Sequence, residues 1–150
     1  SRYDGVRYGF SRHEFSDETK RRIIVGTYAL SSGYYDEYYR QAEKVRSLLR
    51  KAYEKAFELV DVILSPVQPT KPTKLGELIN DPLKNYLADI YTVTQNPAGV
   101  PSLALPCGFT KEDLPIGMQI IGPLLSEGIL LNLGYKYQQV TGWHKVRPKI

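Results

Sequence analysis

Few residues of this 150-residue chain have the type and spacing that a self-sufficient active site requires. His13 and His144 lie in polar segments, and neither is followed by a second histidine or cysteine at helical spacing. The sequence therefore predicts no metal site. Cys107 follows an apolar segment without an obvious activating neighbour, which favours a buried, unreactive thiol over a nucleophile. On these grounds we assign no catalytic residue to the chain.

The small residues do not form a recognisable catalytic loop either. The glycines of the C-terminal half are too scattered for a phosphate-binding loop, and they are Gly99, Gly108, Gly117 and Gly122. Ser31-Ser32-Gly33 is superficially similar to a turn that carries a nucleophile. A break between two helices explains these three residues more simply.

Two charged residues lie among apolar neighbours and could bind a ligand together. Arg22 precedes Ile23 and Ile24, and Asp89 lies between Ala88 and Ile90. An unpaired buried carboxylate is costly, so Asp89 is either solvated or held by a cation or donor. Composition alone favours a solvated helix face for both residues. In a shared pocket they would suit a free amino acid, because guanidinium binds carboxylate and aspartate accepts from ammonium.

The composition describes an ordinary globular domain with enough apolar residues, 42%, to build a core. The net charge of +4 is too small and dispersed to indicate nucleic-acid binding by itself. No apolar run approaches the roughly 20 residues of a membrane span. The single cysteine favours a reducing compartment. The chain opens on serine without a secretion signal, which suggests an excerpt from a longer protein.

The longest periodic segment predicts a helix from about Tyr34 to Val60. Its apolar positions recur at spacings of three and four, and they are Tyr35, Tyr38, Ala42, Val45, Leu49, Ala52, Ala56 and Leu59. A coiled-coil strand is the alternative, but the alanines and the short extent favour a helix across a globular core. An earlier helix is predicted to begin after Ser16 as N-cap and to end near Leu30.

The remaining elements predict an α/β fold. They are a buried strand at 60–65 that Pro66 stops, a helix that Asp81 and Pro82 open and that reaches Tyr91, strands at 102–105 and 116–121, and a helix that begins at Ser126. The last two strands are expected to pair antiparallel across a short loop. Because strand, helix and strand form a βαβ unit, we predict a mixed sheet covered by helices.

Several longer strings are distinctive. Near its end the chain contains Asn96-Pro97-Ala98-Gly99-Val100-Pro101, Leu105-Pro106-Cys107-Gly108 and Pro115-Ile116-Gly117-Met118-Gln119-Ile120-Ile121-Gly122. These strings resemble the C-terminal part of the amidase signature family. Earlier strings are similar to the glutaminase subunits of tRNA-dependent amidotransferases, and they lie at 1–9, 20–23, 26–36 and 81–83. The resemblance covers nearly the whole chain.

The resemblance implies an α/β/α sandwich in which residues 1–150 are the C-terminal segment of a single amidase domain. Such enzymes hydrolyse glutamine and pass ammonia to a partner protein, where Glu-tRNA(Gln) activated with ATP and Mg²⁺ becomes Gln-tRNA(Gln). The family's serine, cis-serine and lysine triad lies in an N-terminal portion that is absent here. The segment alone is therefore expected to be inactive and to hold no cofactor. The implied assembly is a cytoplasmic heterotrimer with B- and C-type subunits and no membrane contact.

The resemblance reverses the expectation that Arg22 and Asp89 are merely solvated. Arg22 matches the family arginine that binds the α-carboxylate of glutamine, and Asp89 matches the aspartate that binds its α-amino group. A zwitterion needs both charges met once water is excluded. Two alternatives stay open. One is a general amidase for small amides, which would not need this pair of charges. The other is a noncatalytic scaffold module, and a large exposed apolar surface would favour an excerpt of a larger domain over such a module.

Overall fold

The computed structural model describes residues 15–30, 38–77 and 82–147. Its elements are α1 (Asp17–Ala29), α2 (Arg40–Phe57), β1 (Ile63–Pro66), α3 (Pro82–Ala88), α4 (Gln95–Ala98), β2 (Ser102–Phe109), β3 (Pro115–Ile121), α5 (Glu127–Val140) and a 3₁₀ turn (Trp143–Lys145). The predicted break at 31–33, the Asp81 cap and His13 lie outside the described residues. Among the described helices none is both long and apolar enough to span a lipid bilayer. Residues 1–47 and 48–150 form two units, each described by itself.

Helix α1 begins where its capping residue predicts. The Thr19 backbone N–H donates a hydrogen bond of 3.3 Å to Ser16 Oγ, which satisfies one of the orphan donors of the first turn. Asp17 and Glu18 occupy that turn and interact favourably with the positive end of the helix dipole. The predicted helix is confirmed, with its end at Ala29.

Helix α2 ends earlier than the periodicity predicts. The chain turns directly after it, so Leu59 leaves the predicted apolar face and is 83% exposed. Leu49 and Ala56 are partly buried, as the pattern predicts, but other residues of the predicted face are exposed, namely Tyr38, Ala42, Val45 and Ala52. Tyr53 and Phe57 are partly buried too, and their rings stack with centroids 6.1 Å apart. The C-terminal turns of α2 therefore pack through aromatic residues that the predicted face omits.

The described strands form a three-stranded sheet in the order β1-β3-β2, with both pairings antiparallel. Gln119 of β3 is paired with Ser65 on one side and Ala104 on the other, so β3 is the central strand. Strands β1 and β2 run in the same direction, as a strand–helix–strand connection predicts, but β3 lies between them. The predicted antiparallel pairing of the last two strands and the α/β class are both confirmed.

Each of the three strands contains a proline that the predicted bounds leave out: Pro66 in β1, Pro106 in β2 and Pro115 in β3. Pro66 is the last residue of β1 and does not stop the strand before it. Strand β1 is half-buried, with alternating exposure, because successive side chains point to opposite faces of the sheet. Within the described sheet it pairs on one side only. Such a strand tolerates a residue without an N–H donor. Pro106 adjoins a register shift that extends to Gly108, and β2 continues past it to Phe109.

The core lies between the sheet and helix α5. Its buried members are Leu105 and Ile120 from β2 and β3 and Leu130 from α5, and the partly buried residues packed around them are Val62, Leu103, Met118 and Tyr137. The helix is confirmed where Ser126 and Glu127 predict it. The Ser126 side chain does not cap the helix, and its buried Oγ has no partner among the residues described.

Helix α5 approaches β2 so closely that its Gly134 leaves no room for a side chain. A Cβ at Gly134 would lie 2.6 Å from Leu103 Cδ2 and 3.3 Å from Leu105 Cδ1. We expect Gly134→Ala to destabilise the protein by about 1–3 kcal/mol, because both leucines would have to move. Gly128→Ala in the same helix meets no atom within 4 Å and should stabilise by roughly 0.5–1 kcal/mol.

Thermal unfolding of the two alanine variants, followed by circular dichroism, measures this difference. A melting temperature for Gly134→Ala equal to or above that of Gly128→Ala would contradict the close packing of α5 on β2.

Candidate substrate-binding site

Asp89 lies immediately after helix α3, at the start of a series of turns. The predicted helix was expected to continue to Tyr91, but it ends at Ala88. The Asp89 carbonyl accepts hydrogen bonds from the backbone N–H of Thr92 at 2.9 Å and of Val93 at 3.0 Å. These two bonds close the turn and fix the backbone that carries the Asp89 carboxylate. The carboxylate gains nothing from this position, since a negative charge is unfavourable at a helix C-terminus.

The turns that carry Asp89 are anchored to their surroundings through Tyr91 and Thr94. The Tyr91 carbonyl accepts from Gln119 Nε2 at 2.6 Å and from Gln95 Nε2 at 2.8 Å. Thr94 Oγ1 and the Tyr53 hydroxyl of α2 are 2.8 Å apart, within hydrogen-bond distance. The segment from 89 to 95 is thereby held by side chains from β3, from α2 and from its own short helix α4.

Helix α4 ends in a conformation that suits only a few residue types. Gly99 has a φ of 75° and its N–H bonds to the Gln95 and Asn96 carbonyls. A left-handed residue at this position is the common way to end a helix, and glycine adopts it without a steric penalty. The chain then turns directly into β2.

A cavity of about 670 Å³ lies beside this segment, within the size range of small-molecule sites. One wall is the proline-rich loop 69–73, and the other contains Ala88, Ile90 and Tyr91, which flank Asp89 in sequence. Asp89 itself is not among the lining residues. The Asp89 carboxylate is exposed and is not part of the wall of this cavity.

Arg22 lies on the exposed side of α1, with 66% of its side chain accessible. Its Nε donates to Glu18 Oε1 at 2.9 Å, one helical turn earlier, and Arg21 also pairs with Glu18. The hydrogen bond from Arg22 is the largest of the effects that lower the pKa of the Glu18 carboxyl, and the nearby positive charges of both arginines add to it. The guanidinium is thus oriented by a carboxylate on its own helix.

Arg22 belongs to the first unit of the chain and Asp89 to the second. Each residue is exposed within its own unit. The recognition of one ligand by both residues stays a prediction.

The other chemically capable groups do not assemble into a site. Cys107 is a free thiol that is only partly buried, less than predicted. Its Sγ lies 3.5 Å from the Ile116 carbonyl oxygen. His144 is partly buried in the turn after α5, and its Nδ1 has no partner among the residues described. Within the three described ranges, no group of three or more His, Cys, Asp or Glu residues could hold a metal ion.

Gln119 is the residue of this region that sequence reasoning missed. Its side chain is only 2% exposed, although it lies in the middle of an apolar strand. A polar residue between Met118 and Ile120 was the available signal, because a buried amide requires hydrogen-bond partners. Nothing local in the sequence indicates where those partners are.

The chain has recognisable relatives. A family model described as "Amidase" matches residues 6–131, so the chain belongs to the amidase family. The A-type subunit of glutamyl-tRNA(Gln) amidotransferase from Thermodesulfovibrio yellowstonii is 48% identical over 162 residues, which is 99% of this chain and 34% of that protein. The protein of the same name from Coxiella burnetii is 51% identical over 165 residues, with 100% and 34% coverage.

Solved structures agree with the family. The crystal structure of the A-type glutamyl-tRNA(Gln) amidotransferase subunit from Thermotoga maritima superposes with a TM-score of 0.68 at 34% identity. It covers 91% of this chain, whereas this chain covers 30% of that structure. The chain thus spans about a third of the length of the relatives it matches.

Proposed function

We propose that this chain is the C-terminal segment of a single amidase domain in the glutaminase subunit of a tRNA-dependent amidotransferase. The complete subunit hydrolyses glutamine and supplies ammonia for the conversion of Glu-tRNA(Gln) to Gln-tRNA(Gln). The observation that carries the proposal is the match of 46–51% identity, over essentially the entire chain, to relatives of that name. The Ser-cisSer-Lys triad of the family would lie in the N-terminal portion, outside residues 1–150.

In this proposal Arg22 and Asp89 bind the two charged ends of the substrate glutamine. The Arg22 guanidinium, oriented by Glu18, forms paired hydrogen bonds with the α-carboxylate. Asp89, on a turn whose backbone is tied down, accepts from the α-ammonium group. With both ends held, the side-chain amide of glutamine is presented to the triad in one orientation.

The complex that this function requires would contain B- and C-type subunits, be cytoplasmic and use ATP and Mg²⁺ at the partner protein. This segment would contribute substrate-binding groups and surface for the rest of its own domain. Several apolar side chains of α5 are well exposed, and they are Ile129, Leu131, Tyr135 and Val140. These uncovered apolar side chains lie on two sides of the helix, and they support an excerpt of a larger domain over a self-sufficient scaffold module.

Ammonia release by the complete subunit tests the proposal against a general amidase. We expect the complete subunit in its complex to favour glutamine over a small neutral amide such as propionamide by roughly 100-fold or more in kcat/KM, because two charge-assisted contacts are lost with propionamide. The isolated 150-residue chain should release no ammonia from either substrate. Equal activity on both amides, without glutamine-dependent formation of Gln-tRNA(Gln), would overturn the proposal in favour of the general amidase.

A further inference from the structure

The buried carboxamide of Gln119 is placed where an apolar side chain would ordinarily lie. It occupies the central strand of the sheet, next to the core residue Ile120. Burial of an amide without hydrogen bonds costs several kcal/mol in hydrocarbon-like surroundings, roughly 1–3 kcal/mol in proteins. The hydrogen bonds of this side chain must therefore offset the cost of burying the amide.

The Gln119 amide nitrogen connects two distant backbone segments. It donates to the Tyr91 carbonyl at 2.6 Å and to the Pro66 carbonyl at 3.2 Å, with Ser65 Oγ further away at 3.4 Å. A primary amide has two protons, and the two carbonyls use both. One proton is donated to the end of strand β1, and the other is donated to the turns that follow α3.

The Tyr91 carbonyl is saturated by this arrangement. It receives Gln119 on one lone pair and Gln95 on the other, and neither glutamine side chain is exposed to water. A carbonyl oxygen with two buried amide donors has little freedom to tilt. The peptide at Tyr91 is therefore more firmly fixed than the hydrogen bonds of the turn alone would make it.

Asp89 lies two residues before this fixed carbonyl. Its own carbonyl is bonded to Thr92 and Val93, the residues that follow Tyr91. Any tilt of the Tyr91 peptide would therefore move the backbone from which the Asp89 carboxylate projects. We propose that Gln119 is a positioning residue, which holds the Asp89 turn so that the carboxylate meets the ammonium group of an amino-acid substrate. This inference rests on the proposed function and adds to it the residue that sets the geometry.

Gln119→Met in the complete subunit, assembled in its complex, isolates this role. Methionine has a similar shape without donors, and both carbonyls keep a second donor, from Gln95 and from Ser65 at 3.0 Å. We expect the KM for glutamine to rise roughly three- to tenfold, the range for one neutral hydrogen bond, with kcat changed less than about twofold. Gln139→Met, the same replacement at an exposed position of α5, serves as the control and should change neither value.

A glutamine analogue without the α-amino group separates positioning from general structural support. The KM for 4-carbamoylbutanoate should be the same in Gln119→Met as in the unmodified protein, because the analogue has no ammonium for Asp89 to bind. In the Asp89→Asn background, Gln119→Met should give no further rise in the KM for glutamine. Formation of Gln-tRNA(Gln) from added ammonia reports that each variant is folded and assembled.

The outcomes distinguish the two proposals. If Asp89→Asn leaves the KM for glutamine unchanged, the proposed role of Asp89 fails. If Asp89→Asn raises the KM for glutamine but Gln119→Met leaves it unchanged, the positioning role is overturned. The same holds if Gln119→Met raises this KM equally with Asp89 and with Asn at position 89, or if it raises the KM for 4-carbamoylbutanoate. Should Gln119→Met not fold, Gln95→Met removes the other donor to the same carbonyl and is held to the same criteria.

Discussion

Asp89→Asn in the complete subunit should raise the KM for glutamine roughly 10- to 100-fold with little change in kcat. A hydrogen bond to a charged group contributes about 1.5–3 kcal/mol, and each 1.4 kcal/mol is a factor of ten in affinity. Asparagine keeps the size of the side chain but loses the negative charge that the ammonium group requires. The change falls on KM because the contact between Asp89 and the α-ammonium group is equally strong in the ground state and in the transition state.

Steady-state ammonia release at varied glutamine concentration measures this change, and Asp113→Asn is its matched control. Asp113 is an exposed residue of the β2–β3 loop with a φ of 60°, a conformation that asparagine also adopts readily. The control should leave KM unchanged. Amidation of tRNA with added ammonia should survive in both variants, because it bypasses the glutamine site. A normal KM in Asp89→Asn would remove the basis of the substrate-binding assignment.

Ile120→Ala is expected to have the largest effect on stability, about 2–5 kcal/mol. Ile120 is 1% exposed on the central strand and packs in the cluster with Leu105 and Leu130. Truncation removes buried methyl groups and leaves a cavity that the neighbouring strands cannot close without breaking their register with β3. The loss should appear as a lower midpoint in urea or thermal unfolding of the complete subunit.

Ile120→Val provides a graded control at the same position. It removes one methylene group and should cost about 0.5–1.5 kcal/mol. Equal unfolding midpoints for the valine variant, the alanine variant and the unmodified protein would show that β3 is not the centre of the core. Since Ile120 adjoins Gln119 on the same strand, such a result would also weaken the proposed positioning role of Gln119.

Local elements were predictable because the forces that specify them act over a few residues. Ser16 and the acidic first turn predicted α1, whose cap forms within three positions. Apolar spacing predicted most of α2 and all of α5. The polar loop between two apolar runs predicted the antiparallel pairing of β2 and β3, because a short connection leaves few other topologies.

The errors fall where neighbours in space override local preference. The α3 periodicity reached Tyr91, but the helix ends at Ala88, where the Asp89 and Ile90 N–H groups bond to the carbonyls three residues earlier, of Tyr86 and Leu87, and not four. Pro66 was expected to stop β1, and it is itself the last residue of the strand, paired with Met118. Its missing N–H costs nothing on a strand that, among the described residues, pairs on one side only.

The sequence by itself determined the family, the α/β class and the existence of the main helices and strands, and it predicted Arg22 and Asp89 as the two charged residues that an amino acid would need. Caps, periodicity and characteristic strings are contained in short stretches, so they can be identified before any folding is considered. Only the tertiary structure decided that β3 separates β1 from β2 and that Gln119 bonds to carbonyls 28 and 53 positions away. The sheet places Pro66 beside β3, and the packing of the turns after α3 brings the Tyr91 carbonyl to the same amide, so no local pattern in the chain encodes these contacts.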